Sequence, residues 1–168
     1  MKNKINIFLV GLGFFITSPV FADDYIAVAK DGKIYDEANA KYVTLNQENE
    51  DVNVIPGMVF KAYEHTPGWY KIEYSPGLHA FIPEQIIATS YLNPSQGNYK
   101  VTNNPSESVT INFADGWSCT TKGESFKGIE KDGIVVFVDD QNNIIYSLVD
   151  FGSGPIVISY NNGVTKFF

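Results

Sequence analysis

Arginine is absent from this chain: all 12 basic residues are lysines. Without a guanidinium fork there is no bidentate partner for a phosphate or a carboxylate. Cysteine is nearly absent as well. Cys119 stands alone, so no internal disulfide can form, and a lone thiol reads first as a small buried hydrophobe. Histidine is scarce, with His65 and His79 both far along the chain from Cys119. No zinc-ligand cluster and no Cys–His pair is written into such spacing. A phosphate-cradling loop is missing too, because Gly152-Ser153-Gly154-Pro155 leads into a strand pattern rather than a helix. Helical periodicity is lacking beyond residue 22. The one helix-tolerant stretch, 36–42, is short enough to read as a loop.

Positive charge is in deficit. Nineteen acidic residues against 12 lysines give a net charge of −7. A chain of that sign repels nucleic-acid backbones and anionic lipid surfaces, so no nucleic-acid partner is expected.

Apolar and aromatic residues are plentiful. A hydrophobic fraction of 44% supports a packed core, and aromatics at 14% suit a pleated surface better than a helix. The first residues are organised differently. Lys2 and Lys4 form a basic head, residues 5–16 are an apolar run, and Val20 and Ala22 place small residues before a cut after Ala22. This is the pattern of a secretory signal peptide over residues 1–22, and the run is too short for a stable membrane span. Asp23, not cysteine, follows the cut, so no lipid anchor is indicated. Loss of the two lysines takes the net charge from −7 to −9.

Short strand patterns broken by Gly, Pro, Asn and Asp fill the remainder, as in small barrels and sandwiches. In the first half the expected strands are 25–29, 52–54, 58–64, 69–74 and 80–82. Turns fall at His65-Thr66-Pro67-Gly68 and Ser75-Pro76-Gly77. A polar, breaker-rich linker spans 93–98, and Asn103-Asn104-Pro105-Ser106 repeats its character. Beyond it, Val109, Ile111 and Phe113 alternate with polar or small residues. Residues 134–138 are continuously apolar, as in a strand covered on both faces. Residues 139–143 form a polar turn, 144–149 and 155–160 are strands, and Asn161-Asn162-Gly163 is a hairpin signal before 164–168. This half reads as an antiparallel β-meander of five or six strands, a curled sheet or half-barrel.

Several pieces of the first half share an order. Glu50-Asp51-Val52-Asn53-Val54 is followed by the Pro56-Gly57 turn, then Met58-Val59-Phe60-Lys61-Ala62-Tyr63-Glu64, then Gly68-Trp69-Tyr70-Lys71-Ile72. Phe81-Ile82-Pro83-Glu84-Gln85-Ile86-Ile87 closes the set. This succession resembles the bacterial SH3-like (SH3b-type) domain. The resemblance implies a small barrel, with an acidic loop, a glycine-tryptophan strand and a closing proline before a short 3₁₀ turn. With the signal pattern and the linker, the expected organisation is residues 1–22 as signal peptide, 23–96 as SH3-like domain and 97–168 as antiparallel β-domain, all-β throughout. The family's first aromatic motif falls at Tyr35-Asp36 or around Tyr42. Ile86 stands where the family carries a groove tyrosine, which argues against a proline-rich ligand.

The resemblance also implies a groove floored by Trp69, with Pro83 and Tyr35 at its sides. On an alternating strand Trp69, Lys71 and Glu73 share one face, and Ile72 points the other way into the core. Glu50 and Asp51 are expected beside the indole, where an aromatic floor with acidic neighbours suits a peptide bearing an ammonium group.

The expected function is therefore an exported, non-catalytic binding protein of the bacterial envelope. Its partner would be a cell-wall peptide or an envelope protein, in the periplasm or outside the cell, with no cofactor and no metal. Two alternatives come from other classes. A small cell-wall hydrolase would use Cys119 or an acidic pair, but Trp117-Ser118-Cys119-Thr120 reads as a strand rather than a helix opening, and most carboxylates fall in turns. An inhibitor or carrier would use the second sheet, with Phe113, Val136, Tyr146 and Ile158 lining a closed cavity. Asp139, Asp140, Asn142 and Asn143 offer oxygen atoms for calcium, but the run lacks the glycine and distal glutamate of a helix–loop–helix site.

Overall fold

The computed structural model describes residues 24–92, 98–104, 107–113, 115–160 and 164–167. The signal segment 1–22, the centre of the linker with its boundary at 96/97, and the Asn161-Asn162-Gly163 turn lie outside the described residues.

The fold is all-β. In the first half β1 (Asp24–Ala27), β4 (Val59–Thr66), β5 (Trp69–Ser75) and β6 (Leu78–Pro83) form one antiparallel sheet in that order. A small ribbon of β2 (Gly32–Lys33) and β3 (Asn53–Val54) lies beside it. The turns stand where proline and glycine place them: Gly68 and Gly77 have φ of 85° and 75°, backbone that costs a side chain dearly. Among the described residues the single helical turn is a 3₁₀ segment, Glu84–Ile86.

Backbone bonds at both edges curl this sheet into a small barrel. Tyr35 and Phe81 exchange N–H···O bonds of 2.8 and 2.7 Å along β6. At the end of β1 and just past it, Ala88 N–H donates to Ala27 at 3.2 Å and Ala29 N–H donates to Ile86 at 2.8 Å. Inside, register brings Ala62, Ile72 and Ala80 into one cross-strand row, with Ile26 opposite Phe60. These join Val28, Ile34, Val54 and Ile82 in one apolar core.

The second half is a continuous meander of eight strands among the described residues. It comprises β7 (Asn98–Asn104), β8 (Glu107–Phe113), β9 (Trp117–Thr121), β10 (Glu124–Lys131), β11 (Ile134–Val138), β12 (Ile144–Asp150), β13 (Pro155–Ser159) and β14 (Thr165–Phe167). Two of these strands exceed the sequence expectation. Asn98, Asn103 and Asn104, expected in the linker, belong to β7, whose partner strand β8 supplies the ladder that its polar composition does not advertise. β10 has only Phe126 and Ile129 as large apolar residues, and they fall on opposite faces, so it shows no alternation.

β10 is also where the sheet bends. Residues Glu124 to Lys127 pair with β9, whereas Gly128 to Lys131 pair with β11. A Cβ on Gly128 would lie 2.5 Å from the Trp117 Cβ and 2.9 Å from a Phe137 ring carbon, so only glycine permits the fold of the sheet there. The curl brings β14 within 8 Å of β7 between Cα atoms. Its concave side holds Val109, Ile111, Trp117, Cys119, Phe137 and Leu148.

The convex side of β11–β13 is covered by the first half. Ile134, Val136 and Val149 pack with Ala27 and Val59, and Ile158 is a member of the barrel's own core. The continuous apolar run 134–138 is thus explained: Val135 and Phe137 face the curled interior, and Ile134 and Val136 face the other half. At this seam a Cβ on Gly57 would meet the Ile156 Cγ2 at 2.4 Å.

Candidate functional site

Strand alternation puts Trp69 on the outer face of the barrel, because Ile72, three residues on, is fully buried. The indole is half-buried and stands opposite Pro83 across the β5–β6 ladder. Tyr35 packs edge-on against it, with ring centroids 5.5 Å apart and planes at 87°. This T-shaped arrangement places a positive ring edge on a negative ring face and holds both rings in one orientation. The Tyr35 bridge to Phe81 fixes the backbone beneath it. Tyr35, Trp69 and Pro83 therefore form one aromatic ledge.

Both members of the acidic pair have partners within the chain. Asp51 forms a salt bridge with Lys33. That carboxylate, hydrogen-bonded to the lysine, holds the Lys33 ammonium above its ordinary range, and Tyr35 adds to the effect. The ammonium that Asp51 accepts is thus one of this chain's own. Glu50 lies on an exposed turn, where its carboxylate accepts from the Asn46 amide at 3.4 Å and the Asn46 side chain accepts from the Glu50 N–H at 2.9 Å. Of the five expected ligand-binding residues, three form the ledge, Asp51 adjoins it through Lys33, and Glu50 serves the turn.

Cys119 sits fully buried in the concave core, and burial pushes its thiol up to about 12. A protonated, enclosed thiol is a poor nucleophile. The histidines lie in the first half: His65 meets Glu84 at 3.3 Å and the Tyr70 ring at 4.5 Å, and His79 packs edge-on against Tyr63. The Asp139 carboxylate is committed to its own turn, accepting from the N–H groups of Gln141 and Asn143 at 2.9 and 2.8 Å and from the Asn143 side chain at 3.0 Å. Among the described residues no three His, Cys, Asp or Glu side chains converge as ligands for a metal ion. The four residues of the carrier reading do not share a cavity. Val136 and Ile158 face the barrel, Tyr146 faces the curled interior, and Phe113 lies against Trp117 at 5.0 Å, 37% exposed.

Concave surface occurs along the seam between the halves. A groove of about 590 Å³ runs between Lys61, Glu73 and Tyr74 on one side and Asn142, Asn143 and Tyr160 on the other. Two smaller hollows, about 200 and about 310 Å³, flank Tyr25, Tyr70 and Asp132. Sequence reasoning missed these residues. No linear signal marks them, since Tyr70 reads as a core-facing strand position and Asp132 as half of an ordinary Asp-Gly turn.

No protein-family model, curated protein or solved structure matches this chain. The geometry alone therefore carries the functional reading.

Proposed function

We propose that this chain is an exported, non-catalytic binding protein of the bacterial envelope, taking a wall peptide or an envelope protein across the Tyr35–Trp69–Pro83 ledge. The observation that carries the reading is the half-exposed indole of Trp69 held edge-to-face by Tyr35 opposite Pro83. Rigid aromatic surface gives contact area with little ordering cost, which is why such side chains dominate recognition sites. The enclosure of Cys119 and the commitment of Asp139 to its own turn support a binding role over a thiol hydrolase or a calcium site. The apolar h-region and the small residues before Asp23 support export.

The test is a titration with soluble wall peptides, read by tryptophan fluorescence. Trp117 is only 4% exposed and donates its indole N–H to Glu130 at 2.6 Å, so a ligand-dependent change reports Trp69. A saturable change that disappears in Trp69→Ala is expected, together with loss of capture on purified wall material. An unchanged spectrum to millimolar peptide, with equal capture of both proteins, overturns the reading.

A further inference from the structure

The two smaller seam hollows share Tyr25, Ile26, Tyr70 and Asp132, so they form one continuous trough. At about 200 Å³ and about 310 Å³, the trough has room for a small organic group rather than a lone water. It exists only because the β10–β11 turn of one half docks beside β1 and β5 of the other.

Its charge is mainly acidic: Asp24, Glu64, Glu84 and Asp132 line it, with His65 as the one basic lining residue. Two of these carboxylates already have partners, Asp24 in Lys131 and Glu84 in His65. Glu64 and Asp132 have no ion pair among the described residues. The acids are strung along the trough rather than gathered for a metal ion. Tyr25 and Tyr70 also line the trough, Tyr70 with the His65 ring 4.5 Å away, and a tyrosine π face attracts a cation. Burial first, and then the neighbouring Glu84 carboxylate, raise the Tyr70 phenol above its ordinary range. Tyr70 is thus partly shielded from water, while Glu64 and Asp132 stand at the exposed rim, open to an incoming ammonium.

We propose that this trough binds the alkylammonium group of an amine-bearing ligand, with Tyr25 and Tyr70 as walls and Glu64 and Asp132 as counter-ions. The proposal stands apart from the Trp69 ledge, where Asp51 is already paired with Lys33.

The two counter-ions can be neutralised without disturbing the fold. Asp132 occupies the turn with φ of 53°, a conformation that asparagine adopts as readily. The probe is cadaverine, with 1,5-pentanediol as its uncharged analogue, followed by two-dimensional NMR on the isotope-labelled protein. Cadaverine is expected to shift signals of Tyr25 and Tyr70 saturably, and the diol is expected not to. The double variant E64Q/D132N should bind roughly three- to tenfold more weakly, the scale on which loss of two exposed ion pairs acts. Its melting temperature shows whether it is folded, and Trp69→Ala should bind cadaverine unchanged. Equal shifts with the diol, the same shifts from magnesium chloride at matched ionic strength, or full affinity in the folded double variant would each overturn the proposal. A parallel titration with Nα-acetyl-lysine amide separates the sources. Binding as tight as cadaverine's assigns a peptide lysine, weaker binding assigns a free polyamine, and either supports the shared chemistry.

Discussion

The hydroxyl of Tyr160 accepts the backbone N–H of Val59 at 2.6 Å. The two residues belong to different halves, and the bond is the centre of a small polar network. Ser147 Oγ lies 3.1 Å from the same hydroxyl and donates to the Gly57 carbonyl at 3.0 Å. An apolar seam of Ile, Val and Ala side chains tolerates sliding; directional bonds to backbone at its centre do not. Around the rim, Lys131 pairs with Asp24, and the Asp150 N–H donates to Ser90 Oγ at 3.0 Å.

Tyr160→Phe removes the acceptor and leaves the Val59 N–H without it. An expected loss of about 1–3 kcal/mol follows from stranding a buried donor. Urea unfolding of the two proteins measures it, and a change under about 0.5 kcal/mol would show that water replaces the phenol.

The shared core makes the halves unfold together. Each half carries one tryptophan, Trp69 in the barrel and Trp117 in the meander. Within each of the variants Trp69→Phe and Trp117→Phe, the remaining indole and far-UV circular dichroism should therefore give coincident urea midpoints. Two separated midpoints would mean that the seam contributes little to stability.

Gly57 tests the seam from the other side. It has φ of 99°, and an added Cβ would lie 2.4 Å from Ile156 and 3.1 Å from Ile158. Gly57→Ala is expected to cost about 2–4 kcal/mol, adding overpacking to backbone strain. Gly77 is the control, since it has φ of 75° but nothing within 4 Å of its Cβ position. Gly77→Ala should cost about 1–2 kcal/mol, from backbone strain alone.

Alkaline pH should loosen the fold in two stages. Burial raises the Cys119 thiol from 9.0 to about 12 and the Tyr160 phenol from 10.0 to about 12. Both groups hold their protons more tightly folded than unfolded. Their stabilising contribution is complete below the unfolded values and is lost as pH rises toward 12. Urea midpoints measured between pH 8 and 11 should fall from about pH 9 in the native protein. In Cys119→Ala the fall should begin nearer pH 10, and Tyr160→Phe should flatten the part above it. In the same folded protein a thiol reagent should leave Cys119 unmodified until denaturant is added.

The strands that could be read from the chain are those whose residues announce a period or a boundary. Val109 and Ile111 alternate with polar neighbours and are buried. Residues 134–138 are apolar throughout and lie between two packed layers. The turns at Gly68 and Gly77 are set by glycine's access to positive φ. β7 and β10 were illegible because a strand held mainly by its neighbours' backbone needs no apolar alternation of its own. The ledge was partly legible for the same local reason: alternation places Trp69 outside once Ile72 is inside. The role of Asp51 was not, since Lys33 stands 18 residues away along the chain.

The sequence by itself determined the all-β class, the succession of hairpins and the outward face of Trp69. Each rests on short-range physics: side-chain period, glycine and proline geometry, and the alternation of a single strand. Only the tertiary structure decided that the meander's convex face is buried against the barrel, that Tyr160 reaches Val59 across 101 positions, and that Tyr25, Tyr70 and Asp132 border one trough. Those outcomes depend on which apolar faces find each other in space, and no local pattern in a chain encodes the docking of one sheet on another.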